Sequence, residues 1–173
     1  MFKLDFDKKN SFNYGEVEKY LHYKVFEIFD DSNIIGSLEI IVANAGAYLR
    51  DFGYVDALLD DHDSNLYDAI DISTCEDYDN VVVINSFQIF EKFRHQGYGR
   101  NVLKFIENFI KKYYTRCGRS CCICAQVEPK YYVNVERQVA KERLLNFYLS
   151  NGYIKIVERD SPLIFKSFLK EGR

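Results

Sequence analysis

Residues 89–100 read IFEKFRHQGYGR, with two glycines, Gly97 and Gly99, one residue apart near the end. The run from Val81 to Phe90 is rich in Val, Ile and Phe, which favour strands. The run after the glycines has apolar residues at the helical intervals i, i+1, i+4, i+7, i+8 and i+11. These residues are Val102, Leu103, Ile106, Phe109, Ile110 and Tyr113. The segment is therefore predicted to join a strand to an amphipathic helix.

The glycine pair suits close approach of the backbone to a ligand. The first N–H groups of the following helix have no partner in a preceding turn, and with the helix dipole they favour a pyrophosphate. A dinucleotide fingerprint would need a third glycine where Val102 stands, and no P-loop string occurs. The remaining pattern, Arg-x-x-Gly-x-Gly from Arg94 to Gly99, predicts a phosphate loop. The alternative is a purely structural turn between strand and helix, made flexible by its glycines and flanked by basic residues.

Length and composition predict one ordinary domain spanning residues 1–173. No apolar run approaches the ~20 residues that span a bilayer. The first ten residues also lack the apolar block of a signal peptide. Five cysteines, an odd number, favour reduced thiols, without a metal. We therefore expect a cytoplasmic protein with no membrane or metal partner.

The net charge of −3 hides a division of charges along the chain. Between Asp51 and Asp79 there are ten acidic residues and no Lys or Arg, so residues 45–79 are interpreted as an acidic insertion. Between Glu91 and Ser120 there are eight basic residues and two acidic ones. The acidic run is either a solvated face or a surface for a cationic partner.

The remaining elements complete a mixed α/β pattern. Strands are predicted at 2–6, 23–29, 34–43, 121–127, 153–157 and 163–168, and helices at about 55–70 and 136–150. The strands at 23–29 and 34–43 are predicted to form a hairpin. Gly36, inside the second of them, indicates a bulge or a close backbone approach. Gly118 is predicted to end the helix that follows Gly99, and Gly152 is predicted to end the helix at 136–150.

Two motifs resemble those of the GNAT superfamily of N-acetyltransferases. Arg94-x-x-Gly97-x-Gly99, which opens a long helix after a strand, resembles the family's acyl-CoA pyrophosphate loop. Residues 147–153, FYLSNGY, resemble its later Phe-Tyr-x-x-x-Gly-Phe/Tyr motif. The resemblance implies an α/β fold with a mixed, mostly antiparallel sheet, flanking helices and two splayed parallel central strands. These strands would be 87–90 and 122–127.

The resemblance also implies direct transfer of an acetyl group from acetyl-CoA, as co-substrate, to a primary amine. The implied cofactor-binding set is Phe87, Ile89, Arg94, His95, Gln96, Gly97, Tyr98, Gly99 and Arg100. Tyr148 would be the general acid that protonates the leaving thiolate, since a phenol has a pKa near ~10. Packing beneath the sheet is the alternative for this side chain.

The general base is not identified by the resemblance. Some members place His or Glu where this chain has Val83 and Asn85. The candidates that stay open are Glu39, Glu128, His62 and the acidic residues of 51–79. His22 and His95 are expected at the surface or at the cofactor.

The acidic insertion is predicted to wall the acceptor pocket and to favour a cationic amine of a small molecule or a peptide. The missing base keeps open a second function, an inactive or weakly active acyl-CoA-binding module that acts as a sensor or a partner-binding subunit. Nucleic acid is not an expected partner, because the phosphate loop already accounts for several basic residues. A homodimer is compatible with the sequence.

Overall fold

The computed structural model describes residues 2–6, 20–47, 78–115, 119–129, 134–157 and 162–168. The strands are β1 (Phe2–Phe6), β2 (Leu21–Asp30), β3 (Asn33–Ala43), β4 (Asn80–Ile89), β5 (Cys121–Gln126), β6 (Ile154–Val157) and β7 (Leu163–Phe168). The long helices are α1 (Tyr98–Tyr113) and α2 (Asn134–Ser150), and a 3₁₀ turn spans Glu91–Phe93. None of the helices within these ranges is long and apolar enough to cross a membrane. The predicted helix at 55–70, most of the acidic insertion and the helix stop at Gly118 lie outside the described residues.

The described strands form one sheet in the order β1-β2-β3-β4-β5-β7-β6. Every neighbouring pair is antiparallel except β4 and β5, which are parallel. Parallel strands need a crossover, and α1 supplies it. The prediction of a mixed, mostly antiparallel sheet with a parallel central pair is therefore confirmed.

The predicted hairpin of β2 and β3 is present, and at Gly36 the chain of β3 lies close to that of β4. A Cβ atom on Gly36 would lie 2.2 Å from the main-chain oxygen of Gln88. The register of β2 and β3 also shifts between Ile28 and Phe29, next to the glycine's partner. The absence of a side chain at position 36 therefore lets the two strands pair, as the sequence indicated.

Side chains on the two faces of the sheet form two cores. The helix-side core lies under α1 and α2 and contains Phe26, Ile28, Ile35, Leu38, Ile40, Val42, Val82, Ile84, Val102, Leu103, Ile106, Ile110, Cys121, Ile123, Ala125, Val127, Tyr148, Tyr153, Ile164 and Phe168. The opposite core contains Tyr20, Leu21, Ile41, Ala43, Ala45, Tyr78, Val81, Val83, Cys122, Cys124 and Phe165. Tyr113, the last residue of the predicted helical spacing, is 53% exposed at the end of α1.

The cysteines of β5 are buried free thiols. Cys121 faces the helix-side core, whereas Cys122 and Cys124 face the opposite core. Burial raises the pKa of Cys121 to about 12. This thiol is therefore protonated at neutral pH and has the character of a small apolar side chain.

We predict that Gly36→Ala destabilises the protein by about 1–3 kcal/mol, because the new methyl group would meet the Gln88 carbonyl and force β3 and β4 apart. Urea unfolding followed by circular dichroism measures this change. Ser37→Ala, on the next residue of the same strand, is the matched control. Equal stability of the Gly36→Ala variant and the wild type would contradict the close approach.

Candidate active site

A cleft opens where the two parallel strands stop pairing. The last paired residues of β4 and β5 are Ile84 and Ala125. Beyond them the strands diverge around a cavity of about 910 Å³, lined by residues 84–89 on one side and by Gln126, Glu128 and Pro129 on the other. The predicted splay of the central strands is therefore present. Among the described residues, it leaves the backbone of 85–89 without a strand partner on the cleft side.

The segment after β4 turns the chain towards this cleft. The Nε of Arg94 donates a hydrogen bond of 3.0 Å to the main-chain oxygen of Ile89, which ties the turn to the end of the strand. His95 and Gly97 have positive φ angles of 62° and 84°. Gly97 is the residue that precedes α1, and glycine adopts this backbone conformation without steric cost. The turn therefore brings the amino terminus of α1 to the mouth of the cleft.

The amino terminus of α1 presents unpaired N–H donors at this position. The Asn101 N–H donates to the Gly97 oxygen at 3.2 Å, and the N–H groups of Tyr98, Gly99 and Arg100 come before that first helical bond. All of residues 97–100 line the cleft. These donors, the helix dipole and the Arg100 charge together form a site for an anion.

Tyr98 links the glycine loop to the tip of the β2–β3 hairpin. Its hydroxyl donates a short hydrogen bond to the Oδ2 of Asp30. This bond raises the pKa of Tyr98, and desolvation and the negative charges of Asp30 and Asp31 act in the same direction. The phenol therefore stays protonated at neutral pH, and the bond holds the first turn of α1 against the sheet.

Tyr148 lies on α2 and lines the same cleft from the helix side. Its ring is buried and makes edge contacts with Phe147, at 5.3 Å between ring centroids, and with Tyr153, at 5.4 Å. Burial raises the pKa of Tyr148 above its ordinary value. The hydroxyl is therefore a proton donor at neutral pH, although a raised pKa makes full transfer of that proton less favourable.

The end of α2, next to Tyr148, is held by neighbouring elements. The Tyr153 N–H donates to the main-chain oxygen of Tyr148 at 3.2 Å. The Nζ of Lys166, on β7, donates to the Asn151 oxygen at 2.8 Å and to the Oε1 of Glu107, on α1, at 2.7 Å. These bonds connect α1, α2 and β7, so they restrain the helical turn that carries the phenol.

The carboxylates predicted as general bases have different surroundings. Glu128 lines the cleft but accepts a hydrogen bond of 2.7 Å from the Nε of Arg137 and lies 3.7 Å from the Nζ of Lys141. Glu39 accepts a hydrogen bond of 3.4 Å from the Nδ2 of Asn85. Two cations therefore neutralise Glu128, whereas Glu39 has a neutral amide beside it.

The two histidines within the described residues, His22 and His95, are both exposed. His62 and the acidic residues from 51 to 77 lie outside the described residues. Within the described parts of the chain, no three His, Cys, Asp or Glu side chains come together in a way that could hold a metal ion.

The cleft gathers most of the predicted site residues and several that the motifs missed. Of the predicted set, Phe87, Ile89, Arg94, His95, Gly97, Tyr98, Gly99, Arg100 and Tyr148 line it. Gln96 does not line it, and its side chain donates to the Lys92 oxygen at 3.2 Å. The resemblance implies a role for the main-chain N–H of Gln96, and that role stays a prediction. The missed residues include Ser86, Gln88, Gln126, Arg143 and Leu144. They belong to no motif, so only the divergence of β4 and β5 could have pointed to those on the strands. Asn85 also lines the cleft, at a position where some members of the family place His or Glu.

Comparison with known proteins identifies the fold. No protein-family model matches the chain, and no curated protein matches it significantly. The solved structure of AtaTR bound with AcCoA matches at 11% identity over 96% of this chain and 92% of that chain, with a TM-score of 0.53. The KacTA–DNA complex matches at 12% identity over 96% of this chain and 93% of that chain, with a TM-score of 0.52.

An acetyltransferase from Thermus thermophilus matches at 13% identity over 86% of this chain, with a TM-score of 0.46. The chain spans 64% of the length of that protein.

The strand order, the single parallel pair and the cleft between its diverging ends are those expected from the two motifs. The chain has the fold of the GNAT acetyltransferases, as residues 94–99 and 147–153 predicted.

Proposed function

We propose that the chain is an acetyl-CoA-dependent N-acetyltransferase that transfers the acetyl group directly to a primary amine. One observation carries the proposal. A single cleft has an anion site at one end, formed by the amino terminus of α1, and a buried phenol, Tyr148, on its wall. A long acyl thioester with a pyrophosphate group suits both features at once.

Acetyl-CoA would bind with its pyrophosphate at the N–H groups of residues 97–100. The pantetheine arm would run along the cleft edge of β4, where no described strand pairs with Phe87 and Ile89 on the side opposite to β3. The Ile89 oxygen already accepts a bond from Arg94, so its second lone pair would serve the ligand. The AtaTR neighbour is solved with AcCoA, and we propose that this chain binds the same ligand.

In the proposed reaction a neutral amine attacks the thioester carbonyl carbon, and the C–S bond then breaks. Negative charge develops on sulfur at the helix side of the cleft, where Tyr148 lies. Because burial raises the pKa of Tyr148, its hydroxyl first donates a hydrogen bond to the sulfur. The phenol is protonated at the start of the reaction, as a general acid must be. It completes the transfer of its proton as the thiolate leaves.

A second candidate function is an acyl-CoA-binding module without turnover. The observation that favours it is the surroundings of Glu128, which lines the cleft but is paired with Arg137 and Lys141. A carboxylate paired with two cations is a poor proton acceptor. The two functions make opposite predictions for thiol release.

We expect calorimetry to detect binding of acetyl-CoA to the purified protein, and a thiol reagent to detect release of CoA when an amine is added. The amines are spermidine, kanamycin and a lysine-rich peptide, with protein-free mixtures as the control. Binding without release for every amine would favour the module, and absence of binding would overturn both functions.

Tyr148→Phe is predicted to lower kcat by about a hundredfold, because the thiolate then leaves without a proton donor. The affinity for acetyl-CoA and the urea midpoint should stay near the wild-type values, since the ring still packs against Phe147 and Tyr153. Tyr113→Phe removes an exposed phenol and is the matched control. An unchanged kcat for Tyr148→Phe would rule out the acid role.

Tyr98→Phe is predicted to weaken CoA binding by about three- to tenfold, because the loop loses its bond to Asp30 and must be ordered on binding. Turnover of acetyl-pantetheine, which has no pyrophosphate, should not change. Asp30→Asn keeps an acceptor and removes a negative charge, so it should bind CoA at least as tightly as the wild type. Equal losses for CoA and the pantetheine substrate would argue against a role at the phosphates.

A further inference from the structure

Two amide side chains flank the point where the central strands part. Ile84 and Ala125 form the last pair of β4 and β5, and the next residues along the two strands are Asn85 and Gln126. Both line the cleft, one from each wall. Any group that reaches the apex of the opening therefore meets two amides, each of which offers a carbonyl oxygen to an N–H donor.

These amides lie on the face of the sheet away from α1 and α2. Side chains alternate between faces along a strand. Cys124 of β5 belongs to the opposite core, so Gln126, two residues further on, shares that face. Asn85 lies where the register of β3 and β4 shifts, and its hydrogen bond to Glu39 places its side chain on the face of that carboxylate. Tyr148 belongs to the helix-side core. The apex therefore has a phenol on one side and amides on the other.

A carboxylate, Glu39, stands beside Asn85. Glu39 lies between Leu38 and Ile40, which face the helix-side core, so its side chain lies on the same face as the amides. Its Oε2 accepts the hydrogen bond from the Nδ2 of Asn85. The bond orients the Asn85 amide, since its nitrogen points to Glu39 and its oxygen is left for the cleft.

The described strands beside Glu39 place no cationic side chain on its face of the sheet. On the adjoining strand β2, the titratable residues on this face are Tyr23, next to the opposite core, and Glu27, which is exposed. On the other side, β4 contributes the neutral Asn85 and Ser86. Glu128, in contrast, carries its own two cations.

We infer that Glu39, Asn85 and Gln126 form the acceptor site, which takes a cationic primary amine from the face opposite to α1 and α2. This inference rests on the proposed acetyl transfer and supplies its missing proton acceptor. The amide oxygens accept N–H bonds from the amine, and the carboxylate attracts the ammonium form. The described ends of the acidic insertion, Ala45 and Tyr78, lie in the core of the same face.

Two protons leave the amine nitrogen at this site. The ammonium gives the first, through a water molecule, to the Glu39 carboxylate, which frees the nitrogen lone pair. The C–N bond forms, the C–S bond breaks, and the sulfur takes a proton from Tyr148. The second proton from the nitrogen reaches the Tyr148 oxygen through solvent in the cleft and restores the phenol. Glu39 releases its proton to solvent.

Glu39→Gln keeps the size of the side chain and its bond to Asn85 but cannot accept the proton. For the amine that gives the fastest thiol release, we expect kcat/KM to fall by about a hundredfold at pH 7, with the affinity for acetyl-CoA unchanged. The loss should shrink as the pH rises towards about 9.5, because more of the amine is then already neutral. A purely structural role would give a loss that does not depend on pH.

Glu27→Gln, an exposed change on the same face, is the matched control and should leave kcat/KM unchanged. If the wild type is active, two results overturn the acceptor site alone. One is a kcat/KM of Glu39→Gln equal to that of the control, and the other is a loss of kcat/KM that stays constant from pH 7 to about 9.5. A wild type that binds acetyl-CoA but releases no thiol with any amine overturns the proposed transfer, and the acceptor site with it.

Discussion

The rest of the structure depends on the end of pairing between β4 and β5 after Ile84 and Ala125. A sheet that opens in this way leaves one row of backbone N–H and C=O groups of β4 without a strand partner, and such groups need solvent, side chains or a ligand. The Arg94 side chain takes one of them, the Ile89 oxygen. The others form an edge that suits an extended ligand with amide groups of its own.

Contacts between distant parts of the chain hold the opening in shape. Gly36 lets β3 approach β4, so the wall of the cleft keeps its ladder on the outer side. The Tyr98 hydroxyl is bonded to Asp30 at the end of β2, and β3 and β4 lie between the two residues in the chain. Lys166 joins α1 to the end of α2. The glycine loop and the phenol are therefore each anchored to a rigid element, which is how a preorganised site is built.

Local patterns in the sequence predict the elements and the loop well, because each depends on nearby residues. The helical spacing from Val102 to Ile110 and the glycines at 97 and 99 are examples, and both motifs lead to the fold that the structure has. The bond from Tyr98 to Asp30 could not be predicted, since it joins residues 68 positions apart. The Gln96 side chain donates to the Lys92 oxygen, so its amide lies along the loop and not in the cleft.

The two faces of the opening suit the two halves of the proposed reaction. On the helix side, burial disfavours ionisation, so the Tyr148 hydroxyl stays neutral until charge develops on sulfur. On the opposite side, the carboxylate of Glu39 and the amide of Asn85 favour a group that arrives with positive charge and must lose a proton. A phenol and a carboxylate on the same side would hydrogen-bond to each other, as Tyr98 and Asp30 do. The sheet keeps Tyr148 and Glu39 apart, because α2 carries Tyr148 on one face and the Glu39 side chain points to the other.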